Sequence, residues 1–562
     1  MLWTQSLKKV KWSDKKLKEQ VTMYTNLDKC FPQTAITKEP ERYTWRSIDY
    51  ETENFKGTML MAEPDNEVPE LCLQLNKTGW YKIYLGLYTI SDPDLKDGIR
   101  VKLSSDQTYI FVQAEKDRWL SDSIDEVYWK YADLSGQDII FKHMNSKNQN
   151  MTSYIAYVKL KKLAEVEVEK IKDERQNNIN RRLIGMNDAH GLYYWKKIES
   201  KKGIYEDIEP YRDTDFEKLY WCMGSGGDIC TYPTKIGKLY GEDLEIFPRS
   251  GDKNIADSMK ILQSKGIDSL ETAVNYAQSI GLKIFLSQRM GAFACNPPWD
   301  GIFTSDFYKN NPKLRCVDIE GNEITRLSYA YQKVQDHCIS ILKELALYQP
   351  DGISLLFNRG APYILYEEPL LKAFIEEYKK DPRHLSEDNN EWLVYRAEYF
   401  NKFMLKIKKE LDNDIEISVH LFNNKKENLF YGFDPETWIK EGYINEIVAY
   451  PWLNKPIDVD YYINLVEDTD CKLYIDLLPR NMSPEEYRTR AINLYKKGVD
   501  GLCFWDTNTR HVALRQWSMI RRLGHKEELN NWNDGEGNYF KTIKIKKLGG
   551  YKIDQYPPGW AF

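Results

Sequence analysis

Asp351-Gly-Ile-Ser-Leu-Leu-Phe-Asn-Arg-Gly-Ala-Pro-Tyr-Ile-Leu-Tyr-Glu-Glu-Pro369 is the stretch whose reading decides the fold. Ile353 to Phe357 is a short unbroken apolar run, entered through Asp351-Gly352 and left through Asn358-Arg359-Gly360. A strand covered on both faces of a parallel sheet has this pattern. Arg359, Tyr363, Tyr366, Glu367 and Glu368 crowd its C-terminal end, and helix-forming sequence resumes at Pro369. In barrels and open α/β sheets that end of a strand carries the chemistry.

Seven further runs have the same character. With Gly352–Phe357 they are Leu183–Asn187, Lys218–Met223, Lys283–Ser287, Ile415–Leu421, Glu446–Tyr450, Lys472–Leu477 and Gly501–Trp505, separated by helical patterns such as Ser269–Ile280, Arg326–Leu347, Glu391–Leu411 and Ser483–Lys497. Eight strands alternating with helices predict an α/β chain built on a (β/α)8 TIM barrel. A doubly wound sheet is the competitor, but no Gly-rich phosphate turn follows the first strand.

Ahead of the barrel, residues 43–163 read as short strands of alternating polarity between turn signals, for example Gly79–Leu87, Gly98–Leu103 and Ile155–Leu160. That grammar predicts an antiparallel β-sandwich, serving as a buttress or a sugar-binding accessory. The expected layout is a sandwich over 1–163, a charged and solvated helical linker over 164–182, the barrel over 183–530, and a short C-terminal β extension over 531–562. The extension is expected because Tyr539 to Lys547 again alternates with period two.

A chain of 562 residues suggests two to four domains with ample core. Lys+Arg 79 against Asp+Glu 85 leaves a net charge of −6, which argues against nucleic acid and anionic membrane as partners. The 39 Tyr, 16 Trp and 20 Phe suit an oligosaccharide partner, since a ring covers the apolar face of a pyranose while polar edges meet its hydroxyls. Nine scattered cysteines without C-x-x-C spacing read as reduced thiols, not as a thiolate zinc site. The N-terminal residues lack a signal-peptide pattern and no run of 18 apolar residues occurs, so a cytoplasmic protein is expected. A homo-oligomer remains open.

If the barrel forms, residues just beyond each strand share one rim. They are Asp188 and His190; Ser225 and Asp228, with Trp221 inside strand 2; Gln288 and Arg289, with Trp299, Asp300 and Asp306 in the excursion that follows; Asn358, Arg359, Tyr363, Tyr366, Glu367 and Glu368; His420 and Asn423; Tyr450 and Trp452; Asp476 and Arg480; Trp505, Asp506 and Asn508. Two carboxylates across an aromatic cleft suit glycoside hydrolysis, one protonated to release the leaving group and one ionised as nucleophile or base. The candidate catalytic residues are Glu367, Asp476, Asp506 and Asp188. Each has a plainer reading: a helix N-terminal acid for Glu367, a buried acid satisfied by an arginine for Asp476, an N-cap for Asp506 and a loop cap for Asp188. The candidate substrate contacts are Trp221, Arg289, Arg359, Tyr366, His420, Tyr450, Trp452 and Trp505. An unpaired guanidinium at the rim is costly, so Arg289 and Arg359 must each meet a carboxylate or a ligand anion.

The same stretch, continued by Ala373-Phe-Ile-Glu-Glu-Tyr-Lys-Lys-Asp-Pro-Arg383 and Trp392-Leu-Val-Tyr-Arg-Ala-Glu398, resembles the bacterial family 10-like glycosyl hydrolases. Gly79-Trp-Tyr-Lys-Ile-Tyr-Leu-Gly86 and Glu126-Val-Tyr-Trp-Lys-Tyr-Ala-Asp-Leu-Ser-Gly136 are similar to the sandwich that precedes the barrel in such proteins. The resemblance implies a TIM-barrel glycosidase-like protein. Many members have an acidic residue within strand 4, whereas Ser354-Leu-Leu-Phe-Asn358 has none, so Glu367, Asp476 and Asp506 are candidates by position alone.

The leading expectation is an oligosaccharide hydrolase that uses no metal or other cofactor. The alternatives are a metal-dependent barrel hydrolase, with Asp188, His190, His420 and Asp506 as partial ligands, and a non-catalytic carbohydrate-binding barrel.

Overall fold

The computed structural model describes residues 21–64, 66–88, 96–112, 123–143, 151–412, 414–480, 482–507, 516–531 and 540–552. Its centre is a closed barrel of eight parallel strands, numbered here β1 (Leu183–Asn187), β2 (Phe216–Cys222), β3 (Lys283–Arg289), β4 (Gly352–Leu356), β5 (Glu416–Leu421), β6 (Glu446–Ala449), β7 (Lys472–Asp476) and β8 (Gly501–Phe504). β8 returns to β1 through the pairs Leu183↔Leu502 and Ile184↔Cys503, which closes the ring. These are the eight runs marked by unbroken burial in the sequence, and each is covered by helices outside and by opposing strands inside.

Alternation sorts every strand into an inner and an outer row. Tyr220 of β2 stacks on Phe285 of β3 at 5.1 Å; its hydroxyl donates to Glu446 of β6 and lies 2.7 Å from the Ser418 hydroxyl of β5, from which it can accept. Lys218, two residues earlier, forms an ion pair with Glu446, with both side chains nearly inaccessible. These residues mark the inner row at the N-terminal half of the barrel. A paired charge inside a core contributes little net stability, but breaking the pair is expensive.

Two largely antiparallel sheets are built mostly from residues ahead of the barrel. An eleven-stranded sheet runs in the order 21–24, 157–162, 80–88, 123–133, 540–548, 45–52, 56–62, 151–155 and 96–97, with two short strands attached at its sides. A four-stranded sheet runs 71–73, 139–142, 99–103, 110–112. Leu85, Val127 and Trp129 of the large sheet share one buried cluster with Leu71, Val101 and Phe141 of the small one. The strand Phe540–Leu548 is the alternating tail segment, and it lies in the middle of the large sheet, between Ser123–Asp133 and Trp45–Thr52.

Two local expectations are corrected. The helix expected from Arg326 begins at Gln332, because Glu323–Leu327 is instead paired as a strand with Arg315–Val317. The charged linker is helical at Glu165–Asn177 but is docked on one side, with Ile171 buried and Arg175 bonded to Asp213 at 2.8 Å. Its Glu174 meets His525, which also contacts Asp215 at 2.6 Å. Glu174, His525 and Glu528 come close enough to share an ion, yet Lys170 and Arg522 neutralise the same space, making the group an ion-pair network. All nine cysteines are free thiols. Among the described residues no helix is long and apolar enough to cross a membrane.

Candidate functional site

The inner row continues to the C-terminal mouth of the barrel. Counting every second residue from Tyr220 gives Cys222; from Phe285, Ser287 and Arg289; from Glu446, Val448 and Tyr450; from Tyr474, Asp476; and from Cys503, Trp505. Asp188 follows β1 and Arg359 follows β4. The sequence thus delivers carboxylates, guanidiniums and rings to one end of the barrel because the inward phase of these strands carries through to residues at or just past their C-terminal ends.

Asp476 is the most perturbed acid of this set. It is 2% exposed and neither carboxylate oxygen makes a hydrogen bond of good geometry. Burial lifts its pKa from 3.8 to about 7; Arg480 works against the rise and the Asp506 charge adds to it. The nearest Arg480 nitrogen is 3.6 Å away, and the same guanidinium donates to the Tyr450 hydroxyl at 3.2 Å. At neutral pH the Asp476 carboxyl is therefore divided between its protonated and ionised forms. A cleft of about 750 Å³ between the segments 451–459 and 475–494 reaches Asp476 and Arg480 from the side, with Pro451, Ile457, Leu477 and Leu494 among its walls.

Asp506 sits next to Trp505 with φ 51°, a left-handed backbone that few residues other than glycine, asparagine and aspartate adopt. Thr507 holds this turn by donating to the Phe504 carbonyl and accepting from the Met186 N–H, which ties the end of β8 to β1. Asp188, across that junction, accepts from the N–H groups of His190 and Gly191 at 2.9 and 3.0 Å. Burial raises the Asp188 pKa, but nearby positive charge and those two N–H groups outweigh it and hold the carboxyl below the ordinary range. Because burial also keeps His190 neutral, Arg289 supplies that charge near pH 7.

Three guanidiniums converge here. The loops after β3 and β4 touch at Gly291 and Gly360; a Cβ on Gly291 would lie 2.3 Å from the Gly360 carbonyl oxygen, and Gly360 has φ 94°. Only glycine permits that approach, and it sets Arg289 and Arg359 side by side. Arg289 donates to the Ser225 carbonyl at 2.7 Å. Arg359 lies over the Trp505 ring at 4.9 Å, with Arg480 6.0 Å from the same ring. Burial, and next the Arg289 charge, depress the Arg359 pKa.

His420 lies beneath this mouth. It meets Trp505 and Tyr220 edge-on at 5.7 Å, and burial drives its pKa down to about 3, so it is a neutral ring. Tyr450 packs on Trp505 at 5.5 Å. The structure therefore gathers Asp188, Arg289, Arg359, His420, Tyr450, Asp476, Trp505 and Asp506 in one region.

Several sequence candidates lie elsewhere. Glu367 is fully buried away from this group; its carboxylate accepts from the Val317 and Leu365 N–H groups, at 3.0 and 2.9 Å, at the start of the helix Glu368–Tyr378. Burial raises its pKa and those N–H bonds oppose the rise. It braces a turn, because the chain after Phe357 folds back against the strand Arg315–Val317. Glu368 is exposed and pairs with Lys372. Tyr366 packs against Trp392 at 5.3 Å. Trp221 is 2% exposed and has the opposite phase to Tyr220 and Cys222, so it faces the helices. Trp452 packs on Phe422 at 4.9 Å beside a separate depression of about 390 Å³. Asp228 is held by Ser305 and His337 at 2.8 and 2.9 Å. Trp299, Asp300 and Asp306 are exposed on the excursion after β3. Asn508 lies outside the described residues.

Two members of the mouth were not among the candidate contacts. Cys222 feels Arg289, Asp188 and Asp506, and its strand phase alone would have found it. Arg480 was visible as a rim residue, but its pairing with Asp476 four residues earlier depends on the turn after β7.

No protein-family model matches the chain, and no curated protein does. Among solved structures it is similar to alpha-L-fucosidase isoenzyme 2 from Paenibacillus thiaminolyticus, at 12% identity and a TM-score of 0.41 over 63% of this chain and 50% of that one. It is also similar to TtGalA, an alpha-galactosidase from Thermus thermophilus, at 10% identity and a TM-score of 0.36 over 86% of this chain and 95% of that one. The alpha-amylase from Geobacillus thermoleovorans matches at 12% identity and a TM-score of 0.33 over 63% and 81% of the two chains. The chain spans half the length of the fucosidase that it matches.

Proposed function

We propose that the chain is a glycoside hydrolase that cleaves an oligosaccharide at the C-terminal mouth of its barrel by carboxylate acid/base chemistry. The observation that carries this reading is Asp476, an acid held at about 7 by burial, influenced by the charge of Asp506 and set near the packed Trp505 and Tyr450 rings at the C-terminal end of the barrel. A group with that pKa keeps a proton at neutral pH and can pass it to a departing glycosidic oxygen. Asp506 is the second carboxyl group, serving as nucleophile or as base for water, and Asp188, kept ionised by Arg289 and two N–H groups, stabilises positive charge growing on the sugar ring. In this reading the two antiparallel sheets form a sandwich that buttresses the barrel. A cytoplasmic setting, which the nine unpaired thiols fit, would make imported fragments the substrate.

The test is release of reducing sugar across a panel of oligosaccharides, followed on any hit by Asp476→Asn, Asp506→Asn and Asp188→Asn. Loss of about 10²-fold or more in kcat for the first two is expected. Full activity in all three variants would sink the assignment.

A further inference from the structure

Arg359 is the anomaly of the mouth. Its guanidinium makes no hydrogen bond and no ion pair among the described residues, and its Nε is buried without a partner. The Gly291–Gly360 contact holds it beside Arg289, whose own hydrogen bond goes to a backbone carbonyl and not to a carboxylate. Arg480 is shared between Asp476 and Tyr450. When Asp476 carries the proton that an acid catalyst needs, Arg480 loses the charge of the carboxylate it is paired with as well. Asn358, the residue before Arg359, is 1% exposed, and both polar atoms of its carboxamide lack partners. A buried guanidinium with no direct ion pair or hydrogen bond among the described residues, influenced only through space by Asp506 and flanked by two further guanidiniums and an unsatisfied amide, describes half of a binding site; the missing half is an acceptor-rich anion. A planar carboxylate matches the fork of a guanidinium through two parallel N–H···O bonds.

We infer that the sugar bound in this mouth carries a carboxylate, as a uronic acid does, and that Arg359 receives it with Arg289 and Arg480 alongside. This rests on reading the mouth as a sugar site. Trp505 faces two of the three guanidiniums, Arg359 at 4.9 Å and Arg480 at 6.0 Å, within cation–π range of its ring.

The test uses calorimetry on the full chain with D-glucuronate and D-galacturonate, their neutral twins D-glucose and D-galactose, and D-glucose 6-sulfate. The uronates should bind about 10- to 100-fold more tightly than the twins, the difference that a charge-assisted hydrogen-bonded pair supplies. Arg359→Gln should erase that preference, bringing the affinity for each uronate down to that of its neutral twin measured on the same variant. Arg359→Lys should restore part of it, since an ammonium keeps the charge without the fork. Binding of uronates by the unaltered chain should weaken as salt rises from about 50 to about 500 mM, a measurement that decides the matter even if the variants do not fold. Equal affinity for neutral twins, a preference for the sulfate ester, or no uronate binding overturns the inference. Cleavage of neutral oligosaccharides without a uronate preference would overturn it and leave the hydrolase reading standing. Uronate binding without cleavage of any uronate-containing oligosaccharide would support it and remove the hydrolase reading.

Discussion

Replacing Asp476 by asparagine should make the protein more stable relative to its parent at pH 8 than at pH 5. Burial has moved the carboxyl from 3.8 to about 7. Between those two values the folded chain holds a proton that the unfolded chain has released, so stability contributed by this group falls as pH rises. At 1.36 kcal/mol per pKa unit, the penalty on the folded state is about 1.7 kcal/mol at pH 5 and about 4.3 kcal/mol at pH 8. The carboxamide introduced by Asp476→Asn does not titrate and is nearly the same size as the carboxyl, so its lack of partners costs the same at both pH values and cancels from the comparison. The remaining difference is about 3 kcal/mol, which corresponds to a relative Tm gain of about 5 °C between pH 5 and pH 8 in a domain of this size. Paired thermal melts of parent and variant at the two pH values measure it, with urea midpoints as a check on reversibility. An identical offset at pH 5 and pH 8 would refute the claim that burial perturbs Asp476, and with it the acid role.

If Asp476 is the acid, kcat/KM should fall as pH rises through about 7, and Arg480→Gln should move that limb upward by about two pH units, since a charge at 3.6 Å no longer favours the ionised form; a limb that stays in place contradicts the assignment. Glu367→Gln should lower stability by about 1–3 kcal/mol while kcat changes less than about threefold, because the carboxylate accepts backbone N–H bonds and touches no group of the mouth; denaturant midpoints and initial rates check both halves. Glu446→Gln, which leaves the buried Lys218 ammonium only the half-exposed Glu416 at 3.5 Å, should destabilise by about 3 kcal/mol, and a change under about 1 kcal/mol would mean that Glu416 takes over the pairing.

The barrel was legible because burial on both faces forces each strand to be a short apolar run, and all eight runs lie within one or two residues of the observed strands. Part of the site was legible for the same reason. Arg289 and Asp476 end their strands, and Tyr450 and Trp505 follow theirs by one residue, all on the inward phase, and period-two counting ranks them above Trp221, which sits on the opposite phase. What the sequence could not reveal depends on contacts between distant segments. Glu367 looked like a rim acid only because nothing local indicates that the chain after Phe357 turns back onto Arg315–Val317. The pairing of Arg289 with Arg359 needs two glycines, 69 positions apart in the chain (360 − 291), to meet backbone to backbone.

The placement of Phe540–Leu548 between Ser123–Asp133 and Trp45–Thr52 has a consequence for synthesis. On the ribosome, the two flanking strands emerge some four hundred residues before the one that joins them (540 − 133 = 407). Until then the large sheet exists as two halves, each presenting an open edge able to recruit another nascent chain. The barrel, whose strands all emerge within that interval, can close first and act as the template on which the sheet is sealed. A chain halted after residue 530 should therefore keep a complete barrel yet associate through those two edges, and a synthetic 540–548 peptide added in trans should suppress the association.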